Sequence, residues 1–193
     1  MSVTNVEPQP HRREHRSGER KVEFLLGAAV VLMGLLAGLF YAFACAVMPA
    51  LGDSSDRTFV EAMQQINTAI ENPVFFASFL GAPALAIWAL VIERRAGSAG
   101  VARWIVAALA LYTVGFLITS AFNIPLNDDL KQAGDPRHIA DLAHVRDQFE
   151  APWVAWNIVR TLATTAAFGC LAHALRLRAR ADGTTRSGPG LAR

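Results

Sequence analysis

Four long, nearly uncharged apolar runs constrain this chain more than any other feature. They cover residues 24–48, 73–92, 101–122 and 152–175. A helix needs about 20 apolar residues to cross the hydrocarbon core of a bilayer, and backbone inside that core must satisfy its own hydrogen bonds. Each run therefore predicts one transmembrane helix, and together they predict an all-α fold, a four-helix transmembrane bundle. The hydrophobic content of 53% supports this, since soluble domains average nearer 45–50%. A signal peptide is the competing reading of the first run, with Ala44-Cys45-Ala46 resembling a cleavage site. Its apolar stretch exceeds the roughly 7–15 residues of a signal core, so a membrane helix is expected instead.

Charge sets the expected orientation. Arg12, Arg13, Arg16, Arg20 and Lys21 precede the first run, Arg94, Arg95 and Arg103 lie around the second loop, and Arg176, Arg178, Arg180, Arg186 and Arg193 follow the fourth run. The other two loops are acidic, with Asp53, Asp56, Glu61 and Glu71 in one and Asp128, Asp129, Asp135, Asp141, Asp147 and Glu150 in the other. Basic segments stay on the cytoplasmic side, so both termini are expected there, in a multi-pass protein of the plasma membrane. Residues 1–21 and 179–193 are expected to be disordered cytoplasmic tails flanking a membrane domain over 22–178. The formal net charge of only +2 gives no field that would favour nucleic acid. Membrane lipid is the expected surrounding partner, and a homo-oligomer is compatible with the Gly34–Gly38 GxxxG spacing on the first helix, although plain packing is the stronger account of that motif.

The acidic loops carry helical signals of their own. Phe59, Met63, Ile66 and Ile70 share one helical face, and Thr58 with Glu61 fits a capping box. In the second loop, Asp135-Pro136 reads as a helix start, and Ile139, Leu142 and Phe149 form a partial apolar stripe ending before Pro152. Two short extracytoplasmic amphipathic helices are expected. Pro125 is expected to break the third membrane helix.

The chemistry gathers at that same side. Trp153, Asn157, Arg160 and Thr164 fall on one continuous helical face, with Asn123 and Asn127 at the end of the preceding run. An arginine about 12 Å below the start of its helix has two accounts. It snorkels to the headgroups, with Trp153 and Trp156 as interfacial aromatics, or it faces inward and recruits polar partners. Asn157 on the same face favours a polar pocket. Cys45 and Cys170 stand near opposite ends of their helices, too far apart for a disulfide. There is no P-loop, GxGxxG, CxxC, HExxH or GxSxG sequence, the histidines form no metal cage, and the runs lack the paired carboxylates of a proton-coupled transporter. No metal and no cofactor are expected.

Met48-Pro49-Ala50-Leu51, Met63-Gln64-Gln65-Ile66-Asn67, Ile70-Glu71-Asn72-Pro73, Asn123-Ile124-Pro125-Leu126-Asn127, and Trp153 with Trp156-Asn157 and Arg160 occur in an order and spacing that resembles the anthrone oxygenase-like membrane family, over about residues 22–175. The resemblance implies a four-helix membrane protein that oxidises an anthrone to an anthraquinone with molecular oxygen and no evident cofactor. Arg160, Asn157, Asn123 and Asn127 would then stabilise an enolate or phenolate, and Trp153 and Trp156 would wall a flat small aromatic ligand. Gln65 and Asn67 would close the pocket, and His144 would be a candidate base. The other class is non-enzymatic: a membrane protein that binds a lipid, a small apolar ligand or a partner protein through its outer cap. A pocket large enough for a ring system favours the enzyme; a filled bundle favours the binder.

Overall fold

A computed structural model of the protein describes residues 10–186, with side chains over 21–181. Its elements in chain order are α1 (Pro10–Ala42), a π turn (Phe43–Val47), α2 (Met48–Gly52), α3 (Asp56–Ile70), α4 (Pro73–Arg95), α5 (Ala99–Ile118), a second π turn (Thr119–Asn123), α6 (Ile124–Gln132) and α7 (Leu142–Arg186). The described residues contain no strand. Four stretches are long and apolar enough to cross a membrane, Lys21–Gly52, Pro73–Arg95, Ala99–Gln132 and Leu142–Ala181. The fold is the all-α four-helix bundle expected of the four runs.

α1 packs on α4 and α7, and α5 packs on α7 and α4, around a core of Leu26, Met33, Leu36, Ile105 and Leu171. Small residues permit the close approaches. A Cβ on Gly34 would sit 3.1 Å from the Phe168 ring, and one on Gly115 would sit 3.4 Å from Thr164, whereas Gly38 faces open space. Of the GxxxG pair, only Gly34 therefore serves packing inside the chain. At the end of the bundle that carries the termini, Glu93 of α4 is buried and meets Nε of Arg178 at 3.5 Å. Glu93 stands just past the expected second run, so the apolar pattern gave no hint of this pairing.

The structure departs from expectation at four points, the first three of them at the opposite end, the cap. Pro125 does not break the third helix. The chain widens into a π turn just before it, and the Ile124 N–H reaches back to the Thr119 carbonyl. The same device precedes Pro49, where the Met48 N–H reaches Phe43. A proline lacks an N–H and its ring presses on the carbonyl four residues back, so a wide turn absorbs it without ending the helix. Secondly, the second outer helix does not start at Asp135. Residues 133–141 form turns, in which Asp135 accepts from the Arg137 backbone at 2.9 Å and from its guanidinium at 2.7 Å. The Arg137 guanidinium holds the Asp135 carboxyl well below the usual carboxylate range. The helix begins at Leu142 and continues through Pro152 into the fourth span. Proline inside a helix costs about 3 kcal/mol. Burial of Phe149 and Trp153 against Phe59, Val60 and Met63 of α3 offsets that cost. Thirdly, α3 starts earlier than Thr58: the Ser55 side chain caps it by accepting from the Thr58 N–H. Fourthly, the expected tails are partly helical. α1 begins at Pro10 and α7 reaches Arg186; over 10–20, residues rich in Arg and Glu extend an existing helix at little cost. The rest of the expected tails, 1–9 and 187–193, lies outside the described residues.

α3 lies across the cap with Phe59, Val60 and Met63 buried. Arg146 of α7 pins it there. Its guanidinium donates to Glu150 at 2.6 Å, to Asp56 and the Ser54 carbonyl at 3.0 Å each, and to the Gly52 carbonyl at 2.7 Å, and it covers the Phe59 ring.

Candidate functional site

Beneath the cap, α1, α3, α4, the second π turn, α6 and α7 enclose a cavity of about 160 Å³. One end is closed and polar. Arg160 is 7% exposed, so it does not snorkel. Its Nη2 donates to Asn157 Oδ1 at 2.9 Å and its Nη1 lies 3.4 Å from Thr119 Oγ1. The guanidinium carbon stands 4.0 Å from the Phe40 ring centre and 5.7 Å from that of Trp153. Asn157 is fully buried and donates in turn to the Phe40 carbonyl at 3.2 Å. This joins α7 to α1 just before the first π turn.

The local folding explains the arrangement. Trp153, Asn157, Arg160 and Thr164 form the predicted face of α7 and all four are buried. Thr164 and Thr161 turn their hydroxyls onto the carbonyls of Arg160 and Asn157, which disposes of donors that would otherwise be unpaired in an apolar interior. Thr119 opens the second π turn and Asn123 closes it, so the wide turn presents both side chains to the cavity. Asn123 is 1% exposed, and neither its Oδ1 nor its Nδ2 has a partner among the described residues. The Nδ2 of Asn67, also on the cavity wall, is buried without a partner. Asn127 accepts from the Trp153 indole at 2.9 Å.

The other end is open. Phe76 is 45% exposed and Ile124 47%, yet both line the cavity, together with exposed Glu71. Between the two ends runs an aromatic wall in which Phe79 stacks on Phe75 at 5.2 Å and on Phe116 at 5.6 Å. Tyr112, behind the wall, donates its hydroxyl to the Phe79 carbonyl.

A family model described as anthrone oxygenase matches residues 70–170. The chain belongs to the anthrone oxygenase family. No curated protein and no solved structure matches it. The match runs from the end of α3 through most of α7, narrower than the resemblance over 22–175, and it contains Glu71, Asn123, Asn127, Trp153 and Arg160 of this family member's cavity, with Asn157 behind them. Phe40 and Asn67, supplied by α1 and α3, lie outside it.

Of the site residues expected from sequence, the fold brings Arg160, Asn123, Asn127, Trp153 and Asn67 onto one cavity, with Asn157 directly behind Arg160. Three others stand elsewhere. Trp156, three residues from Trp153, points off the cavity face and stacks on Phe122 at 3.8 Å. Gln65 is exposed on the far side of α3, in a polar groove with Lys131 and Arg137. His144 is exposed on the first turn of α7 and contacts Gln148 at 3.0 Å, so it does not reach the cavity as a base. Sequence reasoning also missed Phe40, Phe43, Phe75, Phe76 and Phe79, since phenylalanine in a membrane helix carries no signal that separates a lipid-facing ring from a pocket wall.

The cavity can hold an anion on a ring. Arg160 carries its charge in an apolar interior with no carboxylate in contact among the described residues, only neutral donors, acceptors and rings. A buried cation so placed favours any ligand that develops negative charge beside it.

Proposed function

We propose that this protein is a membrane-embedded oxygenase that converts a flat ring ketone of the anthrone type to a quinone with molecular oxygen, in the cavity beneath the cap. The buried guanidinium of Arg160, uncompensated by a carboxylate, carries the reading. Loss of a benzylic proton from such a ketone yields an enolate that reacts with oxygen directly. The protein then has three tasks: to bind the rings, to favour the anion and to exclude water.

Each task has its residues. Phe40 and Trp153 flank the guanidinium, and Phe75 and Phe79 line the path to it, surfaces suited to a flat aromatic. Arg160 and the unpartnered Asn123 amide supply donors for the enolate oxygen, and Asn157 holds Arg160 in place. A cavity of about 150 Å³ holds a benzene ring. The 160 Å³ here takes the carbonyl edge of a larger ring system and leaves the rest of it toward the opening. A cavity with buried, unpartnered amides on its wall also supports ligand chemistry over a purely structural cap.

The arginine-rich termini support a plasma-membrane protein with both ends cytoplasmic, which puts the cavity near the extracytoplasmic face. The decisive experiment is to incubate the purified protein with anthrone and oxygen and follow quinone absorbance above the protein-free rate, with Arg160→Ala beside it. Wild-type turnover that Arg160→Ala lacks is expected; no turnover by the wild type would overturn the proposal.

A further inference from the structure

We infer that Glu71 is the general base of this site. The inference rests on the oxygenase reading above and adds the group that reading lacks. An enolate requires that a proton be taken from carbon, and Glu71 is the one residue lining the cavity whose side chain accepts a proton at ordinary pH; the rest are apolar rings and aliphatics, amides, a hydroxyl and the guanidinium.

Its position matches the geometry of the substrate. In a three-ring ketone of this type the carbonyl oxygen and the acidic CH₂ lie at opposite ends of the central ring. Arg160 and Asn123, both buried, mark the closed end where the oxygen is held. Glu71 stands at the open end, where the CH₂ then points. The residue is also held at a fixed corner. Its own N–H closes α3 on the Thr68 carbonyl. The next side chain, Asn72, donates to the Ala69 carbonyl at 2.8 Å and accepts from the Val74 and Phe75 N–H groups at 3.0 Å each, which starts α4. A general base must come within hydrogen-bond reach of its proton, and a corner clamped on both sides fixes the backbone from which the Glu71 side chain reaches the cavity.

The reaction balances with oxygen as the only co-reactant. Glu71 takes one proton from the CH₂, and the electron pair of that C–H bond spreads to the oxygen held by Arg160. The carbon then bonds to one atom of oxygen, and Glu71 returns its proton to the terminal peroxide oxygen. Glu71 removes the second proton from the same carbon as the O–O bond breaks and a new C=O forms. The departing hydroxide leaves with that proton as water. The CH₂ loses two hydrogens and gains one oxygen, the other oxygen becomes water, and Glu71 ends as the carboxylate it began as.

The test separates proton removal from oxidation. With anthrone in heavy water and no oxygen, the purified wild type should exchange the benzylic hydrogens for deuterium above the protein-free rate, read by mass spectrometry. Glu71→Gln should lose that exchange and aerobic quinone formation together, by about 10²–10⁴-fold, while still binding anthraquinone as read by tryptophan quenching. Added acetate should restore exchange to Glu71→Ala, a rescue that a merely structural role would not permit. Exchange by Glu71→Gln at the wild-type rate overturns the assignment and leaves the oxygenase reading standing. A wild type that neither exchanges nor oxidises anthrone overturns both.

Discussion

Replacing Arg160 with leucine should leave the fold nearly as stable and remove most of the activity. The substitution deletes the 2.9 Å contact to Asn157 and the longer one to Thr119. A hydrogen bond to a charged group contributes about 1.5–3 kcal/mol. The guanidinium 4.0 Å from Phe40 adds a desolvated cation–π contact, worth about 2 kcal/mol. Against these stands the desolvation of a cation in an apolar interior, several kcal/mol that leucine does not incur. The terms oppose each other, so the net change in unfolding free energy should fall within about 2 kcal/mol. Transition-state stabilisation has no such offset. Loss of one donor to a developing oxyanion costs about 10²–10³ in kcat, or roughly 2.7–4 kcal/mol. Arg160→Lys should recover only part, since an ammonium on a flexible stem cannot lie flat against Phe40 while reaching both Asn157 and Thr119. The assay pairs quinone formation from anthrone with thermal unfolding in the same detergent. Equal turnover in wild type and Arg160→Leu would refute the reasoning. So would a loss of activity matched by an equal loss of folded protein.

Asn157→Asp should place a carboxylate against the guanidinium, keep the fold, and abolish turnover, because the internal ion pair competes with the developing enolate for Arg160; undiminished quinone formation would contradict this. Arg146→Ala should lower stability by about 1–3 kcal/mol, since Asp56 and Glu150, both partly exposed, lose a mostly buried partner. Arg137→Ala, whose side chain is 78% exposed, should change it by no more than about 1 kcal/mol, and chemical denaturation of both variants checks the contrast. For orientation, reporters inserted at residues 57 and 137 should lie outside the cytoplasm and one placed after residue 181 inside; a cytoplasmic signal at 57 and 137 would reverse the proposed topology.

What the sequence determined alone was everything that a bilayer enforces locally. Four apolar runs had to become helices, because backbone in hydrocarbon has no other way to satisfy its hydrogen bonds, and the family resemblance carried by the Asn-Pro, Asn-x-Pro and Trp-Asn-Arg stretches was already legible. Helical period placed Trp153, Asn157 and Arg160 on one face, but left Arg160 either snorkelling to the headgroups or turned inward, and the packed bundle turned it inward. The tertiary structure decided whatever depends on how separate helices meet. Three-residue spacing could not say that Trp153 lines a cavity and Trp156 stacks on Phe122, nor that α3 turns Asn67 inward and Gln65 away. Local rules also misjudged the prolines. Pro125 and Pro152 read as helix ends, yet a π turn absorbs the first, and packing of Phe149 and Trp153 on α3 carries the helix through the second. Glu71 read as one more acidic loop residue, because its meaning comes from Arg160, 89 positions later in the chain, at the other end of the same cavity. A helix's face follows from its own repeat, but which faces enclose a common space depends on crossings between helices, and those are set by side chains far apart in sequence.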